Sequence, residues 1–244
     1  SEMYLPLQVA ATESYVYAFA LVPVSTGIVW YSMEVVSAST MDLVGTGSDE
    51  YETKGFFGTA DIYVSGNRVF TADGFGVRLW NVFTPASPAS IEFWDTPGAS
   101  RGVALSGKQL HVAASELGLQ SIDLTAPGSF EIEGTYATTA RDLALAGDTV
   151  FLTTTDNTIV SLDVSNPSTP VPLDTLDLDG VHTPLGITAS GGYLVFASGG
   201  NGVGLVDARN PSALSLAGSL SFLNYTREVC VFGDWAYLAG SAGL

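Results

Sequence analysis

Basic residues are scarce. Eight Lys and Arg stand against 25 Asp and Glu in 244 residues, a formal net charge of −17. Nucleic acid and anionic membrane surfaces both need clustered cations, so neither is an expected partner. The single cysteine, Cys230, excludes an intrachain disulfide and a thiolate metal cage. It lies in the alternating run Val229-Cys230-Val231 and reads as a small structural thiol. The two histidines, His111 and His182, are too few and too far apart for a zinc site. No apolar run is long enough to span a bilayer, and the richest, Tyr15 to Val24, is broken by Pro23. Ser1-Glu2-Met3-Tyr4 lacks the basic and apolar regions of a signal peptide, so a soluble chain without membrane insertion by this segment is expected. A helical period is missing too, and 27 glycines interrupt the chain throughout.

What is present is a repeat. A two-residue turn recurs at Gly66-Asn67, Gly107-Lys108, Gly147-Asp148, Gly191-Gly192 and Gly233-Asp234. Each turn joins two short apolar runs, which is a hairpin signal. Each unit reads as four strands: Asp61 to Ser65, Arg68 to Ala72, Val77 to Val82 and Ala89 to Trp94 in one copy. Another copy runs through Asp142 to Ala146, Val150 to Thr154 and Ile159 to Val164, then the turn Ser165-Asn166-Pro167-Ser168-Thr169-Pro170. Proline cannot donate to a strand ladder, so these prolines belong between strands. Four short strands in about 40 to 45 residues match a propeller blade, whose faces are covered only by neighbouring blades.

The reading is all-β: a single six-bladed β-propeller domain of four-stranded antiparallel blades, with approximate blades 1–55, 56–97, 98–137, 138–180, 181–223 and a partial 224–244. The first copy is degenerate, with its turn at Glu13-Ser14 and loop-like extra length at Val22 to Gly27 and Gly45 to Gly58. The sixth blade stops before its third and fourth strands, so something is expected to pair with the strand that ends at Leu244: further chain, a partner or a neighbouring copy.

Ser161-Leu162-Asp163-Val164-Ser165-Asn166-Pro167-Ser168-Thr169-Pro170 and Gly204-Leu205-Val206-Asp207-Ala208-Arg209-Asn210-Pro211 resemble the LVIVD repeat, as does Asp95 to Gly107. The resemblance covers Ala60 to Leu244 and is poor in the first blade. It implies a bacterial or archaeal protein, secreted or at the cell surface, and no particular reaction.

One repeated position gathers charge. Six residues before the hairpin glycine stand Ala60, Arg101, Arg141, Leu185 and Arg227, followed by Asp61, Gly102, Asp142, Gly186 and Glu228. In a propeller the first strand of each blade is innermost. Arg101, Arg141 and Arg227, with Asp61, Asp142 and Glu228, are therefore expected at the mouth of the central channel. The plainer role is bonding between blades, or pairing with Asp123, Asp163 or Asp207. The functional role is an anion or sugar site, with the carboxylates available for acid–base work. No cofactor is expected. Asp73 and Asp156-Asn157 offer oxygens to Ca²⁺, but turn formation explains them better. Gly199-Gly200-Asn201-Gly202-Val203-Gly204 precedes a strand and is no phosphate loop. Phe56, Phe57, Phe75, Trp94, Phe222 and Tyr225 fall near loops or strand ends; packing between blades is the plainer role for each, and exposed contact with a glycan or protein the functional one, whereas Trp30, Trp80 and Trp235 read as core.

The expected function is a non-catalytic, extracellular or cell-surface scaffold that binds a protein or glycan. Its rivals are a structural subunit completed through the open last blade, and a glycan-active hydrolase or lyase with an acidic site.

Overall fold

The computed structural model describes residues 5–25, 28–52, 61–125, 131–221 and 225–240, with backbone alone at 5–7, 19–25, 28–32 and 49–52. Ala60, Phe56, Phe57, Phe222 and Leu244 lie outside the described residues, and the side chain of Trp30 is not described.

Every described element is a strand. The first sheet orders β1 (Leu5–Ala11), β2 (Tyr15–Ser25), β3 (Ile28–Ser37) and β4 (Leu43–Glu52). The second orders β5 (Asp61–Ser65), β6 (Arg68–Ala72), β7 (Gly76–Asn81) and β8 (Ala89–Asp95). The third contains β9 (Gly102–Ser106), β10 (Gln109–Ala113), β11 (Leu119–Asp123) and β12 (Glu131–Tyr136). The fourth contains β13 (Asp142–Ala146), β14 (Thr149–Thr153), β15 (Thr158–Asp163) and β16 (Val171–Asp177). The fifth contains β17 (Ile187–Ser190), β18 (Tyr193–Ala197), β19 (Val203–Asp207) and β20 (Ser215–Leu220). The sixth has two described strands, β21 (Thr226–Phe232) and β22 (Trp235–Gly240). Described neighbours within the sheets pair antiparallel in sequence order, as the repeat predicts.

Three local devices recur. The hairpin glycines Gly66, Gly107, Gly147, Gly191 and Gly233 all take φ between 56° and 60°, with open space where a Cβ would stand. Backbone conformation therefore selects glycine at these tight turns, and crowding does not. A register shift interrupts the pairing of the third and fourth strands in all five complete sheets: at Val35/Val36, Leu79/Trp80, Ser121/Ile122, Ser161/Leu162 and Leu205/Val206. Such a bulge bends the outer strand at one fixed place. The third strand ends in an Asx turn: Asn81, Asp123, Asp163 and Asp207 each accept a backbone N–H from the residue two positions on, at 2.8 to 3.1 Å.

The chain divides into two compact units, Ser1–Val103 and Ala104–Leu244. In the first, Tyr17, Met33, Val35, Ile62, Val69, Trp80 and Val82 form one core between the first two sheets. Trp80 is fully buried, with its indole N–H donating to Thr71 Oγ1. In the second, Phe151 and Ile159 of the fourth sheet pack with Ile187, Leu194, Phe196 and Val206 of the fifth. Burial of each large side chain of this kind stabilises by about 1.5–3 kcal/mol.

The structure corrects several expectations. Val22–Ser25 and Gly45–Glu52 are strand, not loop, so β2 runs for 11 residues against 5 in β6. Alternating and β-branched residues sustain pairing there, and Gly45 and Gly47 let the backbone approach the carbonyls of Pro85 and Pro88, where a Cβ would clash. Trp235 is exposed and not core, because no described strand or sheet lies over it. Trp94 is buried, because the end of β8 stacks it on Phe70 at 6.4 Å. Cys230 is exposed on the sixth sheet.

Candidate functional site

The charged residues singled out by the repeat lie at or just before the first strands, and hydrogen bonds to backbone define their surroundings. Within Ser1–Val103, Asp61 Oδ1 accepts from its neighbour Ile62 N at 2.7 Å, and Oδ2 accepts from Val103 N at 2.8 Å. Burial pushes the Asp61 carboxyl up to about 6, against the pull of those two N–H donors. Within the second unit, Asp142 Oδ2 accepts from Ile187 N at 2.8 Å. The two bonds are the same latch in different places: an acid at the head of one first strand holds the N–H just after the glycine at the corresponding point of the next repeat. Asp61 reaches past Gly102, and Asp142 past Gly186.

Arg141 is held by backbone as well. Arg141 is half-buried, and its Nε donates to the Thr154 carbonyl at 3.2 Å while its own N–H donates to the Thr153 carbonyl at 2.7 Å. Arg101 is half-buried and Arg227 exposed. The Arg227 carbonyl accepts from Gly186 N at 2.9 Å. Glu228 is half-buried, and a side chain at Gly186 would overlap its carboxylate. Asp123, Asp163 and Asp207 carry the Asx turns. Their bonds to Thr125, Ser165 and Arg209 hold all three carboxyls below the usual range, Asp207 at about 2. Asp207 pairs with Arg209, whose Nε lies 3.0 Å from Oδ1.

The histidines serve the interior. His111 Nδ1 lies 3.0 Å from Ser121 Oγ across the β10–β11 pair, and His182 Nδ1 lies 2.9 Å from Ser198 Oγ. Burial lowers His111 to about 4, so its ring is neutral near pH 7. Sequence reasoning missed a buried ionic pair in the first unit. Asp73 accepts from Phe75 N and Gly76 N, each at 3.1 Å, and sits 3.8 Å from Arg78, whose guanidinium lies over the Phe93 ring. Burial raises Asp73 to about 6, opposed by the N–H bonds and by Arg78. The signal was an arginine in the middle of β7, where the corresponding strands β11, β15 and β19 carry Gln120, Val160 and Gly204.

One surface differs from all of this. On the sixth sheet Phe232 pairs across the turn with Trp235, and Cys230 with Tyr237, so the four side chains share one face. Phe232, Trp235 and Tyr237 are 79%, 72% and 49% exposed. Tyr225 just before β21 is also exposed, and Phe75 is half-exposed in the first unit.

The LVIVD repeat matches residues 97–138, 139–175 and 185–221. The chain belongs to the LVIVD repeat family. Its Asp is the Asx-turn residue that closes β11, β15 and β19, so the family signature marks a structural turn. No curated protein matches the chain. Among solved structures, BamB from Moraxella catarrhalis is similar at 12% identity and TM-score 0.58, over 100% of this chain and 96% of that one. The computationally designed Ika8 protein is similar at 13% identity and TM-score 0.62, over 98% of this chain and 81% of that one. A functionally unknown protein from Desulfotomaculum acetoxidans DSM 771 is similar at 16% identity and TM-score 0.64, over 90% of this chain and 70% of that one. At these identities the likeness is one of fold, and the fold of this LVIVD-repeat chain is the β-propeller.

Proposed function

We propose that this LVIVD-repeat chain is a non-catalytic scaffold that binds protein, secreted or held at the surface of a prokaryotic cell. The observation that carries the reading is the exposed Phe232, Trp235 and Tyr237 on one face of the sixth sheet. Large aromatic side chains left in water at adjoining positions are the material of protein interfaces. The acids argue against an acidic hydrolytic site, because Asp61 and Asp142 already accept backbone N–H groups that would otherwise be orphaned. The scarcity of Lys and Arg and the richness in Ser, Thr and Gly support an extracellular setting.

The test is titration of the protein with extended polypeptides and, separately, with oligosaccharides, read by tryptophan fluorescence. Saturable polypeptide binding that Trp235→Ala abolishes without loss of folding is the expected result. Binding of oligosaccharides alone, or glycosidic turnover removed by Asp142→Asn, would overturn the reading.

A further inference from the structure

We infer that the Asp179-Gly180 step, in the link between β16 and β17, is a site of spontaneous isomerisation, where the main chain is rerouted through the aspartate side chain. The inference is independent of the binding reading. It rests on a comparison of three like dipeptides that the fold treats differently.

An aspartate or asparagine followed by glycine closes a five-membered imide readily, because glycine has no side chain to hinder its nitrogen. The chain has three such steps: Asp73-Gly74, Asp179-Gly180 and Asn201-Gly202. The reaction needs the glycine N–H released from any acceptor and the side-chain carbon free to swing onto that nitrogen. Asp73 meets neither condition. It is buried, its Oδ1 accepts from Phe75 N and Gly76 N, each at 3.1 Å, and the Gly74 N–H donates to the Ser100 carbonyl at 3.1 Å. At Asn201 both groups are restrained: Nδ2 donates to the Val181 carbonyl, and the Gly202 N–H donates to the Gly199 carbonyl at 3.4 Å. At Asp179 neither group is held. Asp179 and Gly180 are both exposed, and nothing lies within 4 Å of where a Gly180 side chain would stand. Among the described residues, the Gly180 N–H has no acceptor and the Asp179 carboxylate has no donor.

Backbone conformation adds a drive. Asp179 takes φ of 53° and Gly180 of 65°. Left-handed backbone is strained at an aspartate. The isoaspartyl form carries an extra backbone bond and escapes that constraint. The atoms balance with water as the only co-reactant. Gly180 N bonds to Asp179 Cγ, its proton passes to solvent, and the carboxyl gives up one oxygen as water. Water then opens the imide. Cleavage between Cγ and N restores aspartate. Cleavage between the main-chain carbonyl carbon and N leaves the chain running through Cβ and Cγ, with the former main-chain carbonyl as a free carboxylate. The product has the mass of the parent.

The place in the fold gives the change a consequence. Leu178 and His182 are both buried, the first with its N–H on the Asn157 carbonyl at 3.3 Å, the second with Nδ1 2.9 Å from Ser198 Oγ. The three residues between them are exposed, and the Val181 N–H closes them onto the Leu178 carbonyl at 3.1 Å. One more backbone atom between two fixed ends breaks that closing bond.

The test follows isoaspartate in the full chain, aged folded in near-neutral buffer and, in parallel, unfolded in urea. Isoaspartyl methyltransferase with a labelled methyl donor is the probe, and mass spectrometry of proteolytic peptides gives the position. The ratio of unfolded to folded rate removes the intrinsic chemistry of each step. It should be about one at Asp179 and about tenfold or more at Asp73, where reaction needs local opening, with Asn201 between. Asp179→Glu, which is too long to close the five-membered ring, should remove the signal at this site and leave the other two rates unchanged. The ratios need no variant, so they stand even if Asp179→Glu folds poorly. In the aged folded protein, hydrogen exchange at the Val181 N–H should quicken while the amides of β14 keep their protection. A ratio at Asp179 as large as that at Asp73, or isoaspartate in the folded chain confined to Asn201, would overturn the inference.

Discussion

β14 and β22 occupy the same place in their repeats, two residues after Gly147 and Gly233, yet their fates differ. Val150, Phe151, Leu152 and Thr153 are buried, while Ala236 and Tyr237 are exposed and Leu238 and Ala239 half-buried. The residue types differ little. What differs is the company: β14 lies between two ladder partners, and Phe151 meets Ile187 and Leu194 of the fifth sheet. In a repeat protein, burial is conferred by the neighbouring unit, so the value of a side chain cannot be read from its own repeat. Phe151→Ala and Tyr237→Ala break this comparison most directly. The first should cost about 3–5 kcal/mol, because it removes a core ring and leaves a cavity. The second should stay within about 1 kcal/mol. Urea unfolding of both variants measures the difference, and equal losses would mean that β22 is covered in solution.

Glycines sharpen the same contrast. Gly134→Val drives a side chain into the Pro167 carbonyl and should cost about 2–3 kcal/mol. Gly218→Val meets no described residue and should leave the unfolding midpoint nearly unchanged. A large loss at Gly218 would show that the fifth sheet already carries a turn there.

Much of this was legible in the chain. The spacing of Gly66, Gly107, Gly147, Gly191 and Gly233 located the hairpins, because only a positive φ satisfies that turn, and the need is local. Asp61 to Ser65 and Asp142 to Ala146 fell on strands with the expected bounds. What escaped was relational. Alternation placed Trp235 on a sheet face correctly but said nothing of whether anything covers that face. Trp94 read as a strand-end aromatic open to either packing or exposed contact, and its stacking on Phe70 decides for packing. The bond from Asp142 to Ile187, across 45 positions, leaves no trace in either segment beyond an acid and a following Gly-Ile pair.

That latch is the next test, since it ties the fourth sheet to the fifth. Asp142→Ala leaves the Ile187 N–H without its acceptor and should cost about 1–3 kcal/mol. Asp142→Asn keeps a carbonyl acceptor and should cost less. The order Ala worse than Asn, read from thermal or urea unfolding, separates a hydrogen-bonding latch from a carboxylate whose charge alone matters, for which both variants would behave alike.

The smallest expected effect compares the two units through pH. Asp73 in the first unit is raised to about 6 from an ordinary value near 4, so the folded state holds its proton more tightly than the unfolded chain does. Its contribution to stability is full below about 4 and is lost as pH rises towards 6. Asp61 acts in the same direction. His111 in the second unit is lowered to about 4 from 6.5, so the unfolded chain takes the proton more readily. Its contribution is present above about 6.5 and is lost as pH falls towards 4. The two slopes oppose each other between about pH 4 and 6 and flatten the parent's profile. Asp73→Asn removes the falling limb and should make stability rise more steeply with pH across that window. His111→Gln should do the reverse, and each profile should depart from the parent's by about 1–2 kcal/mol over two pH units, in opposite directions. Urea midpoints measured from pH 4 to 7 decide the matter, and variant profiles parallel to the parent's would place both groups in water in the folded state.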